Sequence, residues 1–205
     1  MNDPTKNVPL NPISPHRGSG FATSGLTEEA VTVMMELLSL TVLGENFLEG
    51  TLKNPDVLAL AARRDRAHLK LLALPTGVDN IYDCCRYSAL LFSTGVLFPM
   101  PRSTGVPLRL IEEIKKCVDQ TGLVSLMVGT TRPLFIWALM LTGIAAAGLS
   151  EPWIKETLLV LLKMERVSRW NEIKKIVESF LWMDFGCNGT AMELWDDIAA
   201  SIRGR

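Results

Sequence analysis

The stretch from Ser168 to Ile202 constrains the fold most, because its large apolar side chains recur every three or four positions over more than thirty residues. Ser168 can cap a helix whose inner face is Trp170, Ile173, Val177, Phe180, Leu181 and Met183, with Glu172, Lys174 and Lys175 towards water. Phe185-Gly186-Cys187-Asn188-Gly189 then reads as a stop. Thr190 and Glu193 have the spacing of a capping box, ahead of a last helix with Ala191, Leu194, Trp195, Ile198 and Ile202 on one side. No alternating run of comparable length competes, so the expected fold is all-α.

The rest of the chain follows the same period. Leu26 to Glu49 carries a wide apolar stripe through Ala30, Met34, Leu37 and Thr41 and through Val31, Met35, Leu38 and Val42. Asn54 before Pro55 marks a helix start, and that helix should run to about Ala73. After the Leu74-Pro75-Thr76-Gly77 break, Asp79 or Asn80 can cap a helix through Ile81, Cys84, Cys85, Ser88, Leu91 and Phe92. Phe98-Pro99-Met100-Pro101 is a connector, since each proline pushes its predecessor towards extended geometry. A shorter helix is expected from Pro107 to Cys117, and two more near Pro133 and Pro152, the latter capped by Ser150. The sum is an irregular body of about eight helices, with no internal repeat to force a solenoid. Residues 1–25 are rich in Pro, Asn, Ser and Gly and are expected to form a disordered tail, leaving 26–205 as one helical domain.

Composition bounds what such a domain can do. A 205-residue chain with 48% hydrophobic residues, 21% charged residues and a formal net charge of -1 has a sizeable core and no excess of positive charge for a polyanion. The four cysteines, Cys84, Cys85, Cys117 and Cys187, lack the spacing of a secreted disulfide scaffold. Prolines at 4, 9, 12 and 15 interrupt any leader pattern, so an intracellular protein is expected and Asn188-Gly189-Thr190 loses its meaning as a glycosylation site. The 18 uncharged residues from Pro133 to Ser150 reach the lower limit for a membrane span, but a buried core helix explains them better.

Catalytic patterns are missing. His16 lies in the expected tail, and His68 sits on a charged helix face with no obvious nucleophile beside it. Gly18-Ser19-Gly20 begins a dinucleotide fingerprint but has Thr23 in place of the last glycine and no strand before it. The chain has no P-loop, H-E-x-x-H or G-x-S-x-G. Cys84 and Cys85 are neighbours, so on a helix they diverge by about 100° and cannot grip one metal ion. The adjacent pairs Glu112-Glu113 and Asp196-Asp197 read as solvated surface. No catalytic, cofactor or metal residue is therefore expected, and the alternatives to a regulatory domain are a membrane-associated protein anchored through 133–150 or an enzyme whose pocket the linear sequence does not reveal. The binding candidates are the cations Arg63, Arg64, Arg66 and Lys70, which a solvated helix face would also explain.

Three blocks, in order along the chain, carry a family resemblance. They are Tyr82-Asp83-Cys84-Cys85-Arg86-Tyr87-Ser88-Ala89-Leu90-Leu91 with its Leu97-Phe98-Pro99 exit, Pro133-Leu134-Phe135-Ile136-Trp137-Ala138-Leu139-Met140, and Ser168-Arg169-Trp170-Asn171-Glu172-Ile173-Lys174-Lys175 with Phe180-Leu181-Trp182-Met183-Asp184, Cys187 and Leu194-Trp195-Asp196-Asp197. Together they resemble the fungal-specific transcription factor domain, the helical regulatory region attached to many zinc binuclear cluster activators. The resemblance implies a nuclear regulator that works with other transcription-regulatory proteins, with self-association and a small-molecule effector both open. The family's DNA reader is a six-cysteine, two-zinc module, which four scattered cysteines cannot build. Direct sequence-specific DNA binding by this chain is therefore not expected, and it should act through protein contacts.

Overall fold

The computed structural model describes residues 14–51, 57–97, 99, 105–128 and 131–203. Among them there are nine α-helices and no strand: α1 (Ser19–Thr23), α2 (Glu28–Leu48), α3 (Val57–Ala73), α4 (Asn80–Phe92), α5 (Val106–Val128), α6 (Arg132–Ala145), α7 (Pro152–Met164), α8 (Trp170–Glu178) and α9 (Asp184–Arg203). A five-residue π turn, Ser93–Leu97, prolongs α4. The all-α expectation is met.

Helix α6 is the axis of the packing. Leu134, Phe135, Ile136, Trp137, Ala138, Leu139 and Met140 are all fully buried, because α1, α4, α5, α7, α8 and α9 pack around this one helix. Enclosure on every side explains a helix with no polar face. Its fourteen residues rise only about 21 Å at 1.5 Å per residue, short of a bilayer core. The run from Pro133 to Ser150 is helical only as far as Ala145, and that helix lies in the core of this fold. Among the described residues one helix, Glu28–Leu48, is long and apolar enough to cross a membrane by length and composition, and half of its most apolar stretch is buried inside the fold.

One capping signal acts as read: Asp79 Oδ1 accepts the amides of Ile81 and Tyr82, both at 2.8 Å, at the start of α4. At the start of α2 Thr27, which the sequence did not single out, accepts the amide of Ala30. Each relieves amides that the first helical turn leaves unpaired. Other signals act differently. The residue preceding α7 is Glu151, not Ser150, and its carboxylate accepts the Trp153 indole N–H instead of a backbone amide. At α8 the cap comes from inside the helix: Glu172 Oε2 accepts the amides of Ser168 at 2.7 Å and Arg169 at 3.1 Å, so Ser168 donates where it was expected to accept. The expected helix from Pro107 to Cys117 continues to Val128, with a break at Gly122, whose φ of 71° leaves the helical region. The Asn54-Pro55 start and most of the Phe98–Pro101 connector lie outside the described residues.

Two expectations about larger features are corrected. Helix α8 stops at Glu178, and Phe180, Leu181, Trp182 and Met183 are buried in a non-helical link. Helix α9 then begins at Asp184, so the run from Phe185 to Gly189 is its first turns and Thr190 lies inside it. The second correction concerns the expected tail. Residues 14–25 are folded on to the body, and Phe21 is fully buried. Its ring meets Trp137 at 5.7 Å and Phe180 at 5.2 Å, edge to face in both cases. The backbone closes the contact: Gly20 donates to the Ser179 carbonyl, and a Cβ on Gly20 would stand 2.5 Å from the Phe180 ring. Arg17 fastens the segment by pairing with Glu45 at 2.5 Å and donating to the Trp182 carbonyl at 2.6 Å. His16 Nε2 lies 2.6 Å from the Lys175 carbonyl oxygen. One buried aromatic ring and one fork of guanidinium bonds offset the ordering cost that the mean composition of the segment does not.

Candidate functional site

Helix α3 presents leucine on both sides, and that sets the site. Ala67, Leu71 and the following Leu74 are buried against the body, with Leu60 partly buried. The opposite side exposes Leu58 by 83%, Leu69 by 66% and Leu72 by 49%. Leu58, Ala62, Asp65, Leu69 and Leu72 follow one another at alternating intervals of four and three, which places them along one helix face. The helix packs chiefly on α2 and α4, so its outer face has no covering element among the described residues.

The four candidate cations do not form one patch. Arg63 is half-buried and donates to Ser39 Oγ at 3.3 Å, towards α2. Arg64 pairs with Asp65 at 2.6 Å and Lys70 with Glu36 at 2.5 Å. Arg66 is exposed. Arg63, Arg66 and Lys70 line one recess with Glu36 and Leu40 on the α2 side of the helix, and Arg64 lies on the other flank beside His68 and Leu69.

His68 is also placed differently from its reading as a surface residue without a nucleophile. It is half-buried, and its Nδ1 stands 3.0 Å from Ser93 Oγ, the first residue of the π turn. Partial burial pushes the imidazole below its ordinary value; Asp65 opposes that shift and Arg64 adds to it. His68 and Ser93 line a recess of about 620 Å³ between α3 and the π turn, together with Leu69, Thr94, Leu97 and Pro99, and with Arg64 and Asp65 also on its wall. The wider π turn displaces backbone where a regular helix would close up, a geometry that recurs at functional sites.

The Ser93 amide is consumed by the Ala89 and Leu90 carbonyls, so it offers no oxyanion donor beside the hydroxyl. The recess has a mainly apolar wall and one hydroxyl–imidazole pair. Ser93 lies 25 positions from His68, and linear sequence offers no sign of that pairing. The one local hint is the place of His68 beside Ala67 and Leu71 on the inward side of α3.

A second recess of about 640 Å³ lies where α6, α7 and α9 meet, walled by Gly143, Leu149, Ile154 and Leu194, with the Lys155–Asp197 ion pair on its lining. Among the described residues no group of three or more His, Cys, Asp or Glu side chains converges as a metal site would require. All four cysteines are free and buried. Burial pushes the Cys117 thiol up to about 11 and that of Cys187 up to about 12, and raises Cys84 and Cys85 as well. All four belong to the hydrophobic core, where burial disfavours the thiolate. No family model, no curated protein and no solved structure matches the chain.

Proposed function

We propose that this chain is a helical regulatory module that acts through protein contacts, and that the outer face of α3 is a contact surface. The observation that carries the reading is the row of exposed leucines, Leu58, Leu69 and Leu72, flanked by Arg64 on one side and by Arg66 and Lys70 on the other. A helix that leaves large apolar side chains in water while its other side fills the core has a second face with something to bury. Cations beside leucines suit an acidic amphipathic helix, which would lay its own apolar stripe along this one. The three sequence blocks that resemble the fungal-specific transcription factor domain support a regulatory setting in the nucleus, with other transcription-regulatory proteins as the partners.

The test is a reporter assay. The chain is fused to an unrelated DNA-binding domain and the transcription of a reporter carrying that domain's sites is measured in a fungal host. The expected result is a change in reporter output that Leu69→Glu with Leu72→Glu abolishes at equal protein level. No change with the unaltered chain would overturn the regulatory reading. A change that survives the double substitution would remove the α3 face from it.

A further inference from the structure

The recess beside His68 has a definite chemical character. Its wall is mainly apolar, from Leu69, Leu97, Thr94 and Pro99. Its charged groups answer one another, since Arg64 is held by Asp65 at 2.6 Å. What remains for a ligand among the described residues is one neutral polar pair: Ser93 Oγ and His68 Nδ1 are joined at 3.0 Å, and His68 Nε2 has no hydrogen-bond partner among them.

That arrangement selects a ligand class. If the Ser93 hydroxyl donates to Nδ1, then Nε2 carries the proton and donates; if Nδ1–H donates to Ser93, then Nε2 accepts. A ligand hydroxyl is donor and acceptor at once and satisfies either tautomer. A carboxylate satisfies only one and meets the Asp65 charge on the same wall. A pure hydrocarbon leaves Nε2 dehydrated and unpaired, which costs a buried polar group its hydration without return. A cavity of about 620 Å³ is within the range of small-molecule sites.

We infer that the recess between α3 and the π turn is a binding site for an uncharged, largely apolar alcohol, whose hydroxyl bonds His68 Nε2 while its hydrocarbon part lies against Leu69, Leu97 and Thr94. Ser93 is a positioning residue that fixes the imidazole. The site stands on the cavity and its polar pair rather than on the regulatory reading, and it shares Leu69 with the outer face of α3.

The experiment uses the full chain and the neutral fluorophore N-phenyl-1-naphthylamine as probe, displaced by 1-decanol, decanoate or decane at neutral pH. Saturable one-to-one probe binding is expected, with 1-decanol displacing it at a concentration at least tenfold below that of decanoate or decane. Leu69→Trp fills the recess from a position that is 66% exposed, so the fold is retained, and it should weaken probe binding at least tenfold. His68→Phe keeps the apolar wall and should erase the preference for alcohol over decane. Absence of saturable binding, equal displacement by decanol and decanoate, undiminished binding to Leu69→Trp, or a preference that survives His68→Phe would each overturn the proposal. Circular dichroism of both variants confirms that they are folded.

Discussion

The indole N–H of Trp137, in the middle of α6, donates to the carbonyl of Leu181 at 2.7 Å, and Leu181 belongs to no helix. The link 179–183 has no helical ladder to satisfy its backbone, and the central helix supplies one of the missing partners. Trp137 also stacks on Phe180 with ring centroids 5.2 Å apart. Trp137→Ala is therefore expected to cost about 3–5 kcal/mol, a cavity plus an orphaned carbonyl. Trp170 is only partly buried, so Trp170→Ala should cost less than half as much. Urea melts of the two variants check the order, and equal losses would contradict it.

The segment before α2 should be thermodynamically part of the body. Phe21→Ala removes a fully buried ring and is expected to cost about 3–5 kcal/mol. Arg17→Ala loses its bonds to Glu45 and Trp182 and should cost about 1–3 kcal/mol. Hydrogen exchange provides the local readout: the Gly20 amide, bonded to the Ser179 carbonyl, should be protected in the wild type and lose protection in Phe21→Ala.

That segment shows where sequence reading stopped. Its mean composition is that of a tail, and a single phenylalanine decides otherwise, because Gly20 lets the chain approach Phe180 closely enough to seat it. The α8–α9 boundary failed for a related reason. Gly186 and Gly189 read as a stop, yet a Cβ on Gly186 would stand 2.7 Å from Val96; the glycine permits α9 to approach the π turn rather than ending a helix. Signals that act locally, such as Asp79 before α4 or Pro133 opening α6, were legible, as was the all-helical period. The candidate site was legible only in part. Arg64, Arg66 and Lys70 were found as charges, but the leucines beside them and the His68–Ser93 pair depend on how α3 is rotated against α2 and α4.

Acid should selectively weaken the start of α8. The Ser168 and Arg169 amides, donating to Glu172, hold its carboxyl below the ordinary value of 4.5. A depressed folded-state value means that the contribution is whole above about pH 4.5 and disappears as pH falls through the folded value. Glu172→Gln should therefore lower the Tm at pH 7, and its difference from wild type should shrink steadily below pH 4.5. A Tm difference that is independent of pH would contradict the capping role.

Thiol chemistry offers an independent check on the core. With Cys84, Cys85, Cys117 and Cys187 buried and their thiols raised by burial, the native protein should show no fast phase with an aromatic disulfide reagent at pH 8. All four should titrate rapidly in guanidinium chloride. A native fast phase would point first to Cys117, which is 5% exposed while Cys84, Cys85 and Cys187 are fully buried.

The π turn at Ser93–Leu97 makes the chain's spacing between α4 and α5 sensitive to a single codon. A π turn holds about one residue more than an α turn over nearly the same rise, so a one-residue deletion there would restore the regular ladder while the residues beyond it keep nearly the same direction. The widened backbone that carries Ser93 opposite His68 would be lost. An in-frame loss of one amino acid, harmless to helix content, would thus remove the turn that walls the recess, while a substitution at the same place would leave that turn standing.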